Sequence, residues 1–364
     1  MMQKRVLHAL LPVAALYFAG HGSGTPYEFP PLPLFPVMPL SSDNPVTAEG
    51  AMLGRYLFYD PLLSADSTLF CGSCHHQASA FSDAPKAFST GTTGAELRRN
   101  TMPLFNLAWY PAFFWDGRAG SIEQQVFHPV READEMGLPW SEAAERVGRS
   151  AFYGPLFAEA FGNPEVDSVR IAKAIAQFLR TLLSYRSKYD RVLAGESYFT
   201  EDEYDGFVLV NDQTRGGCLH CHTTDGAVLG TNLAFSNNGL DPVSDPSDYR
   251  DKGRGAVTGK VTDNGKFMVP SLRNLAYTAP YMHDGRFKTL AEVMEFYSTG
   301  VQASANLDPK MGPTHHRGGA ELTAEEKRKM IAFLLTLSDS AFVTDAAFSD
   351  PRPRRSRPTP FSDQ

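Results

Sequence analysis

All four cysteines of this 364-residue chain fall in two copies of one pattern, Cys71-Gly-Ser-Cys74-His75 and Cys218-Leu-His-Cys221-His222. No other feature restricts the fold as much. C-x-x-C alone fits a dithiol redox pair or half of a zinc site. A His directly after the second Cys, twice over, is the attachment pattern of c-type haem. The spacing has a chemical reason. Two thiols add across the two vinyl groups, so they must share one face of a turn, and the next His then projects to the iron as its fifth ligand. We therefore expect two covalently bound haem c groups, held by Cys71, Cys74, His75, Cys218, Cys221 and His222, with His75 and His222 on the irons. No cysteine is left for a disulfide or a lipid anchor. Each macrocycle is a large apolar body, so short helices and long loops can pack around it. The 30 Gly and 26 Pro accordingly keep interrupting the periodic runs.

The length suggests two domains at about 150 residues each. An internal repeat supports this. MPLFNLAWYPAFFWDGR (102–118) follows the first motif and VPSLRNLAYTAPYMHDGR (269–286) the second. Aligned on Asn106 and Asn274, both reach Asp-Gly-Arg at Asp116 and Asp284, and Trp115 falls on His283. Ile171, Ile175, Phe178 and Leu182 define one apolar helical face. Thr323-Ala-Glu-Glu326 is a capping box opening another helix. Period-two strand patterns are scarce. The expectation is a mostly α fold: two cytochrome c-like haem domains from an internal duplication, with long loops.

The ends read differently. Residues 1–24 have a basic start, an apolar run and small residues, the pattern of a signal peptide, which implies periplasmic export and no stable membrane span after processing. Residues 25–45 carry seven prolines and are expected to form an extended linker. The N-terminal haem domain is expected over 46–195 and the C-terminal one over 196–343. The Arg- and Pro-rich residues 344–364 read as a disordered basic tail. A net charge of −7 and a pI near 5.8 argue against a nucleic-acid partner.

Across residues 46–340 the chain resembles the bacterial di-haem cytochrome c peroxidase and MauG family. The resemblance rests on LGRYLFYDPLLS, CGSCH, RRN, FWDGR, EQQVFHPVREADEMG, CLHCH, VPSLRN, YMHDGR and the final AFLLTL. It implies a peroxidatic N-terminal haem and an electron-transferring C-terminal haem. The implied activity is reduction of hydrogen peroxide to water with electrons from a small cytochrome c or cupredoxin, in an enzyme that is often a homodimer. A second haem makes chemical sense, because peroxide reduction takes two electrons and one iron cannot readily store both oxidising equivalents. Two other readings remain. One is a MauG-like enzyme that oxidises a protein or organic substrate through high-valent haem. The other is a non-catalytic electron carrier, which would need both irons six-coordinate.

The resemblance also implies roles for single residues. Glu135, assisted by Gln125, would move a proton between the peroxide oxygens; Glu132 is a nearby decoy. Trp115 would bridge the haems, and His283 would bind a haem propionate. In many relatives a His in the loop after the first motif blocks the peroxidatic iron. Here that position is Thr92, so the first haem is expected to be five-coordinate or water-ligated at rest. His76 cannot reach the opposite face, and His128 is a weaker distal candidate. For the sixth ligand of the second iron, Tyr297 stands where family peroxidases have Met, as in MauG, and Met311 is the rival. Met294 reads as core, His220 as solvent-facing, and His315 and His316 as exposed. A calcium ion is implied at the Asn100 side chain and the Thr278 and Pro280 carbonyls.

Overall fold

In the computed structural model of the chain, residues 24–224, 226–311 and 318–352 are described. The expected signal sequence (all but its last residue), His315, His316 and the chain beyond 352 therefore lie outside the described residues. The helices are α1 Ala48–Phe58, α2 Ile122–Arg131, α3 Trp140–Arg149, α4 Tyr153–Phe161, α5 Ser168–Thr181, α6 Lys188–Leu193, α7 Glu201–Asn211, α8 Arg254–Thr258, α9 Leu290–Glu295 and α10 Ala324–Leu335. Among the described residues the only sheet is one antiparallel pair, β1 Phe235–Ser236 with β2 Phe267–Met268. The fold is mostly α, as expected.

The helices begin where side chains satisfy their first N–H groups. Asp167 caps α5, accepting from Arg170 N–H, and Thr323 forms the expected box with Glu326 at the start of α10. Ile171, Ile175, Phe178 and Leu182 are all buried.

Two helix crossings organise the molecule: α1 on α5, and α7 on α10. Each crossing is made at a glycine. A Cβ on Gly54 would lie 1.9 Å from the Ala174 carbonyl oxygen, and one on Gly206 would lie 1.9 Å from that of Lys329. Each crossing roofs its own core. One core is built on Leu53, Leu57, Phe58, Phe81, Ile175 and Phe178, the other on Tyr189, Val210, Met330, Phe333 and Leu337.

The repeat seen in the sequence recurs in the backbone, which supports a duplicated unit. Asn106 and Asn274 both take left-handed conformations, with φ of 54° and 61°. Their N–H groups donate to the carbonyls of Leu182 and Leu337, which follow α5 and α10. Their side-chain oxygens accept from the N–H groups of Ser184 and Asp339. The bridges Phe113–Ala119 and Tyr281–Phe287 also match. A buried ion pair, Arg273 with Asp190, ties the second repeat to α6.

Both flanking segments depart from expectation. The proline-rich stretch is extended but docked. Tyr27 N–H donates to the Val46 carbonyl, the Trp109 indole N–H donates to the Pro36 carbonyl at 3.1 Å, and the Phe35 ring packs on Trp109. The expected disordered tail is corrected for residues 344–352. Phe348 is buried with Phe342 against the first core, and its carbonyl accepts the Tyr59 hydroxyl at 2.7 Å. Arg55 donates to the Ala346 and Ser349 carbonyls. Two phenylalanines outweigh the polar composition around them, because burying each contributes about 1.5–3 kcal/mol.

Candidate functional site: two haem-attachment centres

Each C-x-x-C-H segment closes as one tight turn. The Cys71 carbonyl accepts from the N–H groups of Cys74 and His75, and the Cys218 carbonyl from those of Cys221 and His222. Phe70 and Tyr59 lie beside the first turn. His75 Nδ1 is 2.7 Å from the Phe81 carbonyl, and His222 Nδ1 is 3.4 Å from that of Gly230. A carbonyl only accepts, so Nδ1 carries the proton and the Nε2 lone pair is free for a metal. Desolvation pushes both imidazoles down to about 4, keeping them neutral. Desolvation also pushes the Cys71 and Cys218 thiols up to about 12.

The two centres share a further detail. The Ser89 hydroxyl opposes the rise in the Cys74 thiol pKa, and the Ser236 hydroxyl does the same for Cys221; the Ser89 hydroxyl is 2.5 Å from that of Thr101, and the Ser236 hydroxyl donates to Asp308 Oδ2 at 2.7 Å. These serines stand at the same offset as the motifs themselves. The donor set fits haem c: two thiols in one turn, an oriented neutral imidazole, and apolar neighbours. Cys71, Cys74 and His75 would hold one group; Cys218, Cys221 and His222 would hold the other.

Around the first centre, Glu135 follows α2 in a turn beside the motif, where its charge acts on both Cys71 and Cys74. Its carboxyl is half-buried and has no hydrogen-bond partner among the described residues. Desolvation raises its pKa; the Arg118 guanidinium opposes this, while Glu132 and Asp134 reinforce it. Arg118 lies over the Phe114 ring at 3.5 Å, and Phe114 meets His128 edge-on at 5.2 Å. Gln125 is half-buried on α2. Thr92 does not present a ligand. Its N–H and hydroxyl both donate to the Glu135 carbonyl, at 2.8 and 3.2 Å. His76 turns away and pairs with Asp83 at 3.2 Å. His128 Nδ1 is 3.8 Å from the Glu132 carboxylate.

Around the second centre, Tyr297 stands near the motif, as Glu135 does around the first. It lies in a π-helical turn, Phe296–Gly300, that continues α9, and its interactions reach Cys218 and Cys221. Desolvation pushes its hydroxyl up to about 12, opposed by a hydrogen bond from Asn238. Met311 ends the turn Pro309–Met311, which approaches the motif from another side: Lys310 Nζ donates to the His220 carbonyl at 3.2 Å. Met294 is core.

Residues of the two units meet along a seam. Trp115 is buried, its indole N–H donates to the Asn100 carbonyl at 2.8 Å, and its ring meets His283 edge-on at 6.4 Å. His283 stacks on Phe267 with centroids 3.6 Å apart, and burial lowers its pKa. The Asn100 N–H donates to the His283 carbonyl at 2.7 Å. Thr278 and Pro280 lie five and three residues before His283. Arg99 bridges Asp116 and Asp251 across the seam.

Sequence reasoning missed Asn238, Arg118 and the serine pair. In the Asn106/Asn274 register, Tyr297 falls on Pro129, which has no group to offer iron.

Fold and site together define a two-centre c-type haem protein. Residues 48–198 match the family model described as di-haem cytochrome c peroxidase. The methylamine utilization protein MauG of Methylophilus methylotrophus is 33% identical over 312 residues, covering 85% of this chain and 88% of that one. The cytochrome c551 peroxidase of Nitrosomonas europaea is 32% identical over 304 residues, covering 83% and 84%. A solved MauG-like protein associated with microbial copper homeostasis superposes with a TM-score of 0.82 at 34% identity, covering 89% of this chain and 99% of that one. The chain belongs to the di-haem cytochrome c peroxidase and MauG family, and that membership implies haem c at the two motifs. Among the described residues no helix is long and apolar enough to cross a membrane.

Proposed function

We propose that this chain is a periplasmic enzyme that reduces hydrogen peroxide to water with two electrons from a small cytochrome c or cupredoxin. The observation that carries the reading is Glu135: a half-buried carboxyl without a protein partner among the described residues, raised in pKa, facing the first motif. Bound haem iron supplies the electron-transfer chemistry. The chain's own residues handle the protons. Glu135 would take the proton from one peroxide oxygen and return it to the other, which prepares that oxygen to depart as water. Two protons and two electrons are consumed per peroxide, giving two waters. Gln125, on the preceding helix, orients the peroxide. Trp115 and His283 fill the seam between the centres, and His283 is the propionate partner. Tyr297, whose hydroxyl feels both thiols of that motif, would serve as the further ligand that holds the second iron. Asn100, with the carbonyls of Thr278 and Pro280, is a calcium site on the same seam.

The position of Tyr297 also favours a second reading, MauG-like oxidation of a protein or organic substrate. One series of measurements separates the two. Glu135→Gln should abolish peroxide turnover while leaving haem content intact; unchanged turnover would overturn the assignment. In the wild type, a high-spin resting haem and fast oxidation of reduced cytochrome c support the peroxidase. A persistent oxidised species with slow donor turnover supports the alternative.

A further inference from the structure

Asn238 lies in the loop that follows the second haem motif, and its side chain reaches Tyr297. The Asn238 Nδ2 is 3.0 Å from the Tyr297 hydroxyl oxygen and 3.8 Å from the Met282 sulfur. A thioether can only accept, so this shared geometry selects the NH2 group and not the amide oxygen. Asn238 therefore donates to Tyr297. The loop that presents it is pinned on both sides. Asn237 is buried; its Oδ1 accepts from Gly239 N–H at 2.8 Å and its Nδ2 donates to the Tyr249 hydroxyl at 2.6 Å. The Gly239 carbonyl accepts from Gln302 N–H at 2.9 Å. Gly239 has φ of +75°, and a Cβ there would lie 2.8 Å from the Gln302 carbonyl oxygen. Asn238 has little freedom to look elsewhere.

The first centre repeats the arrangement with different chemistry. Its corresponding loop, Gly91–Thr92, holds the Glu135 turn. In each unit the loop after the motif fixes the group that faces the motif.

We propose that Asn238 is a positioning residue that fixes the Tyr297 oxygen toward the second haem and, by donating to that oxygen, raises the reduction potential of the second centre. This rests on the reading of Tyr297 as the iron's sixth ligand. The physical basis is that a hydrogen bond donated to a ligand oxygen withdraws electron density from the iron and so favours the reduced state. Asn238→Leu removes the donor at similar volume. Asn238→Asp keeps the shape and leaves only acceptors, so it separates electronic from packing effects.

The test is a spectroelectrochemical titration of the holoprotein with low-temperature EPR of the oxidised form, for wild type, Asn238→Leu, Asn238→Asp and Tyr297→Phe. Both Asn238 variants should keep two haems and shift the oxidised-to-reduced ratio of the second haem about tenfold toward oxidised at fixed potential, about 59 mV for one electron. The first haem should not move. If Tyr297→Phe changes the second haem's EPR signal but both Asn238 variants match wild type, the role of Asn238 is refuted while the ligand reading stands. If Tyr297→Phe leaves that signal unchanged, the ligand reading fails and takes the proposal with it.

Discussion

Gly91→Ala tests whether the loop after the first motif sets the geometry of the acid–base residue. Gly91 has no left-handed φ, so alanine is conformationally tolerated there and only contact matters. The new Cβ would lie 1.8 Å from the Asp134 carbonyl oxygen and 2.8 Å from that of Glu135. Both are backbone atoms, so no side chain can swing aside. The turn must retreat by about 1.2 Å before the closer contact reaches the 3.0 Å floor for such atoms. The Thr92 bonds to the Glu135 carbonyl stretch with it. Misplacing a reacting group by about 1 Å can lower a rate ~100-fold, equivalent to about 2.7 kcal/mol of barrier. We expect peroxide turnover by Gly91→Ala, measured with a reduced cytochrome c donor, to fall by that order while both haems remain attached. Thr92→Val keeps the backbone N–H bond and loses only the hydroxyl, so about 0.5–1.5 kcal/mol and a loss of a few-fold to about tenfold are expected. Turnover of fully haem-loaded Gly91→Ala within twofold of wild type would show that the loop does not position Glu135.

Other outcomes follow from the same geometry. Because desolvation raises the Glu135 pKa, its base form disappears earlier as pH falls; the acid limb of kcat/KM should lie above the ordinary carboxyl range near 4.5, and stopped-flow peroxide reaction at a series of pH values checks it. A limb at or below that value would contradict the buried-acid reading. Gly54→Ala, and separately Gly206→Ala, force a Cβ to 1.9 Å from a carbonyl oxygen at a helix crossing and should each destabilise the holoprotein by about 3 kcal/mol in denaturant unfolding. Ending the chain at residue 341 removes buried Phe342 and Phe348 and should destabilise the first unit by about 3–6 kcal/mol, visible as an earlier unfolding transition.

Covalent chemistry made the haem motifs legible, since a vinyl-spaced pair of thiols and an adjacent imidazole leave few alternatives. The 3.6-residue face of α5 and the Thr323 box were legible for local reasons. The duplication was visible because Asn106 and Asn274 must both adopt a left-handed turn that few other residues tolerate. What escaped was long-range. A lone Asn such as Asn238 carries no pattern until folding brings it to Tyr297, 59 residues away in sequence. The segment 344–352 was misread because the Arg- and Pro-rich residues that follow it suggested solvation, whereas the destination of Phe348 depends on where α1 lies. The proline count of residues 25–45 suggested an extended linker, but composition does not say whether such an arm is free or seated.

The seated C-terminal segment has a consequence for how the molecule is made. Hydrogen bonds from Arg55 to residues 346 and 349 close loops of 291 and 294 residues, nearly the whole described chain. The unit that comes first in sequence is thus completed by residues that lie beyond the second unit. Closing such a loop after the second unit has formed adds little entropy beyond a shorter one, because the penalty grows only logarithmically, but it must come late. The Tyr59 flank of the first motif is therefore closed by residues that lie beyond the second unit in sequence, so the first unit is complete only when residues 342–349 have folded back onto it.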